Sequence, residues 1–231
     1  MKFYNRTSEL AELKRIQNLS FNDHSRLTVV TGRRRIGKTS LIMKSVEDLP
    51  TVYLFVGRKG EATLCSEFIP IISQSLDTFV PSEIRTFRSL FQYLMELASR
   101  KPFNLVIDEF QEFYNINESV YSDMQNIWDS YRKRSKMNLI VSGSVYSLMQ
   151  KIFQNKKEPL FGRADNIIKL SAFDLTTLKE IMSDYNPDYA NDDLLALYTF
   201  TGGVPKYVEL FCDNTPLAID EMISFMVRDN S

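Results

Sequence analysis

Residues Thr31-Gly32-Arg33-Arg34-Arg35-Ile36-Gly37-Lys38-Thr39-Ser40-Leu41 hold two glycines with four residues between them, followed at once by Lys38-Thr39. This Gly-x-x-x-x-Gly-Lys-Thr spacing is the Walker A pattern. The glycines let the chain curl so that successive backbone N–H groups face a polyphosphate. Lys38 can then reach the terminal phosphates, and the Thr39 hydroxyl can coordinate Mg²⁺. Such a loop works only where a strand delivers it and a helix carries the chain away. Leu27-Thr28-Val29-Val30 reads as the short apolar strand, and the run from Ser40 to Val46 as a helix with one apolar face. A chance Gly-rich surface loop would lack both flanks. The cradle predicted for ATP or ADP is therefore Gly32, Arg33, Arg34, Arg35, Ile36, Gly37, Lys38, Thr39 and Ser40.

A second pattern lies downstream. Phe103-Asn104-Leu105-Val106-Ile107 is a buried-strand run that ends in Asp108-Glu109. Two acids at the carboxyl end of a hydrophobic strand form a Walker B pattern. Asp108 would hold Mg²⁺ through the ion's water shell, and Glu109 sits where a carboxylate can orient water for in-line attack on a γ-phosphate. An acid directly after the Walker B Asp points to ATP. The Asn-Lys-x-Asp guanine reader is absent from the sequence.

With 231 residues, 44% of them hydrophobic, the chain can bury one good core plus a small second unit. Lys and Arg number 28 against 29 Asp and Glu, a net charge of −1. That balance makes no global electrostatic case for nucleic acid or an acidic membrane surface. No apolar run approaches the roughly 18 residues of a membrane span, and the amino-terminal residues carry no signal-peptide core. Cys65 and Cys212 have no metal-ligand spacing and read as buried small hydrophobes. A cytoplasmic compartment is the default for such a chain.

Strands and helices alternate. Helical spacing covers Ser8 to Asn18, Thr63 to Leu76, Glu83 to Ser99 and Ser119 to Arg134. Further strands are predicted at Thr51 to Val56, Asn138 to Val141 and Asn166 to Leu170. This predicts an α/β fold, a three-layer parallel sheet of the P-loop type with helices on both faces. After Ser171 the strands stop. Leu175 to Ser183, Asp192 to Thr201 and Val204 to Cys212 look helical, so residues 1–171 are expected to form the core and 172–231 a small helical lid. The aromatic residues Phe110, Phe113, Tyr114, Tyr121 and Trp128 read as core packing around the Walker B strand. The basic run Tyr131-Arg132-Lys133-Arg134-Ser135-Lys136 reads as a helix end where cations suit the macrodipole.

With both motifs placed, the chain resembles the AAA+-related, STAND-class P-loop ATPases of archaeal type. Phe3-Tyr4-Asn5-Arg6, the triple arginine of the loop, Ile107-Asp108-Glu109-Phe110-Gln111 and Ser142-Gly143-Ser144 carry the resemblance. Leu160-Phe161-Gly162-Arg163 and Thr201-Gly202-Gly203-Val204-Pro205-Lys206-Tyr207 extend it over nearly the whole chain. The resemblance implies that Ser142 is sensor 1, beside the attacking water or γ-phosphate, although a strand-ending Ser in a turn reads equally well locally. It implies that Arg163 is an arginine finger, acting in cis or in trans, where a surface ion pair with Asp165 is the plain alternative. It also implies that Pro205 packs on adenine and that Tyr4, Asn5 and Arg6 lie against the base. Gly202-Gly203 followed by Pro205 is equally an ordinary helix–helix turn.

Three functional readings follow. The first is an ATP-binding, slowly hydrolysing switch ATPase whose nucleotide state controls the lid, alone or with a homo-oligomeric or protein partner. The second is a DNA-associated, initiator-like AAA+ protein, which would need a basic recognition helix. The third is a non-hydrolysing nucleotide-binding interaction module. In the resembling family a winged-helix segment follows the lid. The apolar face near Met222, Phe225 and Met226, in the run from Asp220 to Ser231, is accordingly expected to be covered by a following domain, and any nucleic-acid contact to belong to such a domain.

Overall fold

A computed structural model describes residues 1–227. In chain order the elements are α1 (Thr7–Asn22), β1 (Arg26–Gly32), α2 (Lys38–Ser45), β2 (Thr51–Phe55), α3 (Glu61–Leu76), α4 (Phe87–Ala98) and β3 (Phe103–Asp108). A 3₁₀ turn (Phe110–Glu112) leads into α5 (Phe113–Ile116), then α6 (Ser119–Tyr131), β4 (Met137–Gly143), α7 (Tyr146–Gln154) and β5 (Asn166–Leu170). Four helices follow: α8 (Leu175–Tyr185), α9 (Asn191–Thr201), α10 (Pro205–Asn214) and α11 (Ile219–Met226).

The chain forms two compact units. One contains Ser8–Gly32 and Lys38–Lys169; the other contains Met1–Thr7, Arg33–Gly37 and the described residues from Leu170 to Val227. In the first, the strands lie in the order β2-β3-β4-β1-β5. β1 pairs parallel with β4, β4 with β3, and β3 with β2. β4 therefore separates the two Walker strands. Every residue of β3 and β4 is buried, as parallel strands covered on both faces require.

The pleat sorts the side chains. Val29, Leu105, Ile107, Leu139 and Val141 join a core with Phe68, Phe87, Phe91, Trp128 and Phe153 from α3, α4, α6 and α7. The opposite face carries Asn104 and Asn138, and α1 covers it. Gln17 Nε2 and Asn138 Nδ2 both donate to Asn104 Oδ1, at 2.7 and 2.9 Å. Satisfying one buried amide with two others pins α1 to the sheet at a fixed register. Helices on both faces complete the α/β, three-layer P-loop fold.

The aromatic cluster packs as its sequence suggests: Phe110 meets Phe113, Tyr121 and Phe153 with ring centroids 5.4–5.9 Å apart. Both cysteines are free and buried. The basic run closes α6, with the Arg134 guanidinium 4.1 Å from the Tyr131 ring centre and that of Arg132 5.8 Å from Trp128. Two helices, α5 and α7, go beyond the sequence reading. α7 was legible in principle, since Met149, Ile152 and Phe153 recur at helical spacing and all three are buried.

The helical unit has its own core of Leu178, Ile181, Met182, Leu197, Val208, Phe211, Leu217 and Met222. Its turns follow capping rules. Asp174 Oδ1 accepts the Thr177 N–H at 2.8 Å to start α8, Gly202 closes α9 in the left-handed region, and Pro205 opens α10. One expectation is corrected here. Met222 is fully buried inside this unit, and Phe225 packs on Phe211 with centroids 5.6 Å apart. Of the three apolar residues thought to await a further domain, only Met226 stays exposed, at 48%. The end of that run, Arg228 to Ser231, lies outside the described residues.

Candidate active site

The carboxyl ends of β1, β3 and β4 bring the Walker residues together. Lys38, the first residue of α2, is 7% exposed, and its Nζ donates to the Gly32 carbonyl at 3.0 Å, back across the loop it closes. Gly37 has φ +88°, a backbone state that L side chains rarely adopt, so the second Walker glycine is required by conformation. Thr39 follows Lys38 on α2, and its Oγ1 donates to Asp108 Oδ2 at 2.9 Å.

Asp108 is the hub. It is 6% exposed and ends β3. Besides Thr39, it accepts hydrogen bonds from Tyr53 OH at 2.7 Å, from Ser142 Oγ, and from the Glu109 N–H at 2.9 Å. Burial pushes its carboxyl upward, but the Ser142, Tyr53 and Thr39 hydroxyls and the backbone N–H together hold it below the usual carboxylate value. It is ionised at neutral pH. A hydroxyl and an ionised carboxylate 2.9 Å apart are hard oxygen donors, the set that suits Mg²⁺ alongside phosphate oxygens. The residues present fit that ion.

Glu109 has a different shell. Its backbone is left-handed, φ 53° and ψ 39°, and its Oε2 accepts from Gln111 Nε2 at 2.5 Å and from Ser144 Oγ at 2.8 Å. Ser142 is fully buried, and its hydroxyl is turned to Asp108. Sequence reasoning missed Tyr53, Gln111 and Ser144. Register could have found Tyr53, which lies on β2 opposite Val106 and so on the Asp108 side of the sheet. Gln111 and Ser144 stand inside the Asp108-Glu109-Phe110-Gln111 and Ser142-Gly143-Ser144 runs that carry the family resemblance, but nothing local names Glu109 as their partner.

Arg163 lies elsewhere. Its guanidinium donates to Asp129 Oδ2 and to the Phe161 carbonyl, both at 2.9 Å, while Asp165 pairs with Arg26 and Arg132 instead. The Asp165 N–H bonds the Leu27 carbonyl at the start of β1. From there the strand runs about 17 Å to Gly32 at about 3.3 Å per residue. Arg163 is therefore at the amino-terminal edge of the sheet, remote from the Walker residues of its own chain.

Within the helical unit, the apex of the Walker A loop meets α10. The Arg35 backbone is left-handed, φ 66°, its guanidinium lies 5.3 Å from the Tyr207 ring centre, and its carbonyl accepts the Lys206 N–H at 3.3 Å. Arg33 and Arg34 are exposed, and Ile36 is buried. Tyr4 is buried and donates to Asp184 at 2.6 Å; burial and that carboxylate push its phenol well up. Asn5 Nδ2 donates to Thr177 Oγ1 at 2.7 Å, and Arg6 donates to the Ser171 carbonyl at 2.5 Å with its guanidinium 5.5 Å from the Phe173 ring centre. These side chains are engaged with the helical unit's own residues.

Residues 3–211 match the model of an ATPase domain family found predominantly in Archaea. The chain belongs to this family. An uncharacterized protein of Methanocaldococcus jannaschii is 28% identical over 198 residues, which is 86% of this chain but 42% of that protein, so the chain spans less than half the length of that relative. Among solved structures, a Walker-type ATPase of Pyrococcus abyssi superposes with a TM-score of 0.70 at 18% identity, covering 96% of this chain and 71% of that one. The ORC2 protein of Aeropyrum pernix gives 0.65 at 14% identity, over 98% of this chain and 65% of its own. A STAND protein with a tetratricopeptide-repeat sensor from Pyrococcus horikoshii gives 0.59 at 16% identity, over 98% of this chain and 33% of its own. At such identities these likenesses bear on the fold alone. Among the described residues no helix is long and apolar enough to cross a membrane.

Proposed function

We propose that this domain binds ATP with Mg²⁺ at the loop from Gly32 to Ser40, hydrolyses it slowly, and works as a nucleotide-controlled switch. The observation that carries the reading is the Thr39–Asp108 hydrogen bond, which joins Walker A to Walker B at 2.9 Å with the carboxylate already ionised. Backbone N–H groups of the loop would cradle the phosphates, and Lys38 would exchange the Gly32 carbonyl for a terminal phosphate. Mg²⁺, held by Thr39 and Asp108, would supply neutralisation of phosphate charge. Ser142 orients Asp108 through its hydroxyl, and Glu109 takes the proton of the attacking water.

Control of the helical unit follows from the loop apex. Arg35 bonds α10 by its carbonyl and its guanidinium, so a loop backbone that closes on phosphate changes what Lys206 and Tyr207 see. A differential contact of that kind is what allows a ligand to shift a conformational equilibrium. In this reading Pro205, at the first turn of α10, is carried toward the base, and Tyr4, Asn5 and Arg6 brace the same unit. Arg163 serves a neighbouring subunit if it acts on phosphate at all, which makes a homo-oligomer or a protein partner part of the proposal. Free, buried cysteines favour a cytoplasmic setting.

Calorimetric titration of ATP with and without Mg²⁺ tests the site. Lys38→Ala should weaken ATP binding by about two orders of magnitude, about 2.7 kcal/mol, with the thermal transition retained. Unchanged ATP affinity in that variant would sink the assignment.

A further inference from the structure

Gln111 is 1% exposed and sits two residues beyond the Walker B acids, in the 3₁₀ turn. Its Nε2 donates to Glu109 Oε2 at 2.5 Å, and Ser144 Oγ donates to the same oxygen at 2.8 Å. The other end of the amide makes a poor bargain: Gln111 Oε1 is buried without a hydrogen-bond partner among the described residues. A buried amide that leaves its acceptor unsatisfied costs stability unless its donor meets something better, and an N–H to a carboxylate is such a bond.

Space for that amide is reserved. A Cβ at Gly143 would fall 2.3 Å from Gln111 Oε1 and 2.5 Å from Met149 Sδ. Gly143 is not among the residues of positive φ, so its backbone does not call for glycine. What glycine supplies at 143 is room. The Glu109 backbone is meanwhile held in its left-handed state by two local bonds, from its own N–H to Asp108 Oδ1 and from the Glu112 N–H to its carbonyl, both at 2.9 Å. Backbone and one carboxylate oxygen are both fixed.

We propose that Gln111 is a positioning residue for hydrolysis. With Ser144 it anchors Glu109 Oε2, so that Oε1 is the oxygen presented to the attacking water. The inference rests on the reading of Glu109 as the base. In the step itself, the water oxygen bonds to the γ-phosphorus as the β–γ bridging P–O bond breaks. One water proton passes to Glu109 Oε1, and ADP and inorganic phosphate leave. Loss of the anchor leaves the carboxylate in place but free to turn, and an ångström of misplacement in a reacting group is worth up to about a hundredfold in rate.

The test uses the full chain with ATP, in Gln111→Met, which keeps length but removes the amide, in Ser144→Ala, and in the double variant. Single-turnover hydrolysis should slow by about tenfold or more in each single variant while the ATP Kd stays within about twofold. The double variant should lose less than the product of the two, because both donors serve one oxygen. A crystal structure of nucleotide-free Gln111→Met should show the Glu109 carboxylate rotated from its present position. If Gln111→Met does not fold, Ser144→Ala carries the same expectation. Parental turnover in the folded variants, with Glu109→Gln inactive, overturns the inference and leaves the base reading standing. Parental turnover in Glu109→Gln, or none in the parent, removes the base reading and the inference with it.

Discussion

Thr39 and Asp108 lie 69 residues apart in the chain and meet at 2.9 Å, Oγ1 to Oδ2. Around the same carboxylate stand Tyr53 and Ser142, so that one buried charge is held by three hydroxyls and a backbone N–H. The neighbouring acid, Glu109, shares none of those side-chain partners. Adjacent carboxylates with separate shells can do separate work.

That separation predicts different losses for the two acids. Asp108→Asn should weaken the Mg²⁺ dependence of ATP binding, because an amide is a poor ligand for a hard cation. Glu109→Gln should keep ATP binding and reduce hydrolysis by about 10²- to 10⁴-fold, the usual contribution of a general base. ATP titrations at graded Mg²⁺, with phosphate release, read both. If both variants hydrolyse as the parent does, the carboxylates are structural.

Arg163 should leave nucleotide binding alone. Its visible role is the partly exposed ion pair with Asp129, so Arg163→Ala should cost no more than about 1 kcal/mol of stability. From the amino-terminal edge, any action on phosphate in the proposed mechanism would be on a second subunit. A mixture of Arg163→Ala and Lys38→Ala proteins should then hydrolyse ATP where neither does alone. Assembly without recovered turnover would reduce Arg163 to its ion pair.

Two adjacent glycines should respond unequally. Gly202, at φ +56°, has open space where a Cβ would go, so Gly202→Ala should cost about 1 kcal/mol for the left-handed backbone alone. Gly203, at φ +67°, would place its Cβ 2.5 Å from the backbone oxygen of Phe173, while its own carbonyl accepts the Phe173 N–H at 2.8 Å. Backbone cannot yield as a side chain does. Gly203→Ala should cost several times as much as Gly202→Ala in urea denaturation, and equal costs would refute the clash.

Both thiols should stay inert at mildly alkaline pH. Burial, with Glu61 nearby, pushes Cys65 up to about 12, and burial with Asp213 does the same to Cys212. Folded protein at pH 8.5 should resist iodoacetamide that labels both residues in urea. The linkage has a definite sign. Unfolded thiols ionise near about 8.5, while the folded ones keep their protons, so stability present below that pH falls as pH rises toward about 12. Urea midpoints that hold steady from pH 8 to 10.5 in the parent, and match those of Cys65→Ala, would contradict this.

The local pattern was sufficient for the Walker loop, for the acids at the end of β3 and for most helices and strands. Those signals live in spacings of two, three and four residues, and the backbone obeys them wherever the segment ends up. Even the Gly202 cap and the Pro205 helix start belong to that class.

Partners distant in the chain were a different matter. Three decisions came only with the fold: that Ser142 turns to Asp108, that Tyr53 joins them from β2, and that Gln111 and Ser144 take Glu109. Arg163 found Asp129 and not Asp165, and Asn5 found Thr177. The physical reason is the same in each case. Strand order and register set which side chains share an edge of the sheet, and many residue pairs far apart in sequence satisfy the same hydrogen-bonding chemistry. Sequence alone determined which groups this protein has for phosphate chemistry. The tertiary structure decided which of them touch.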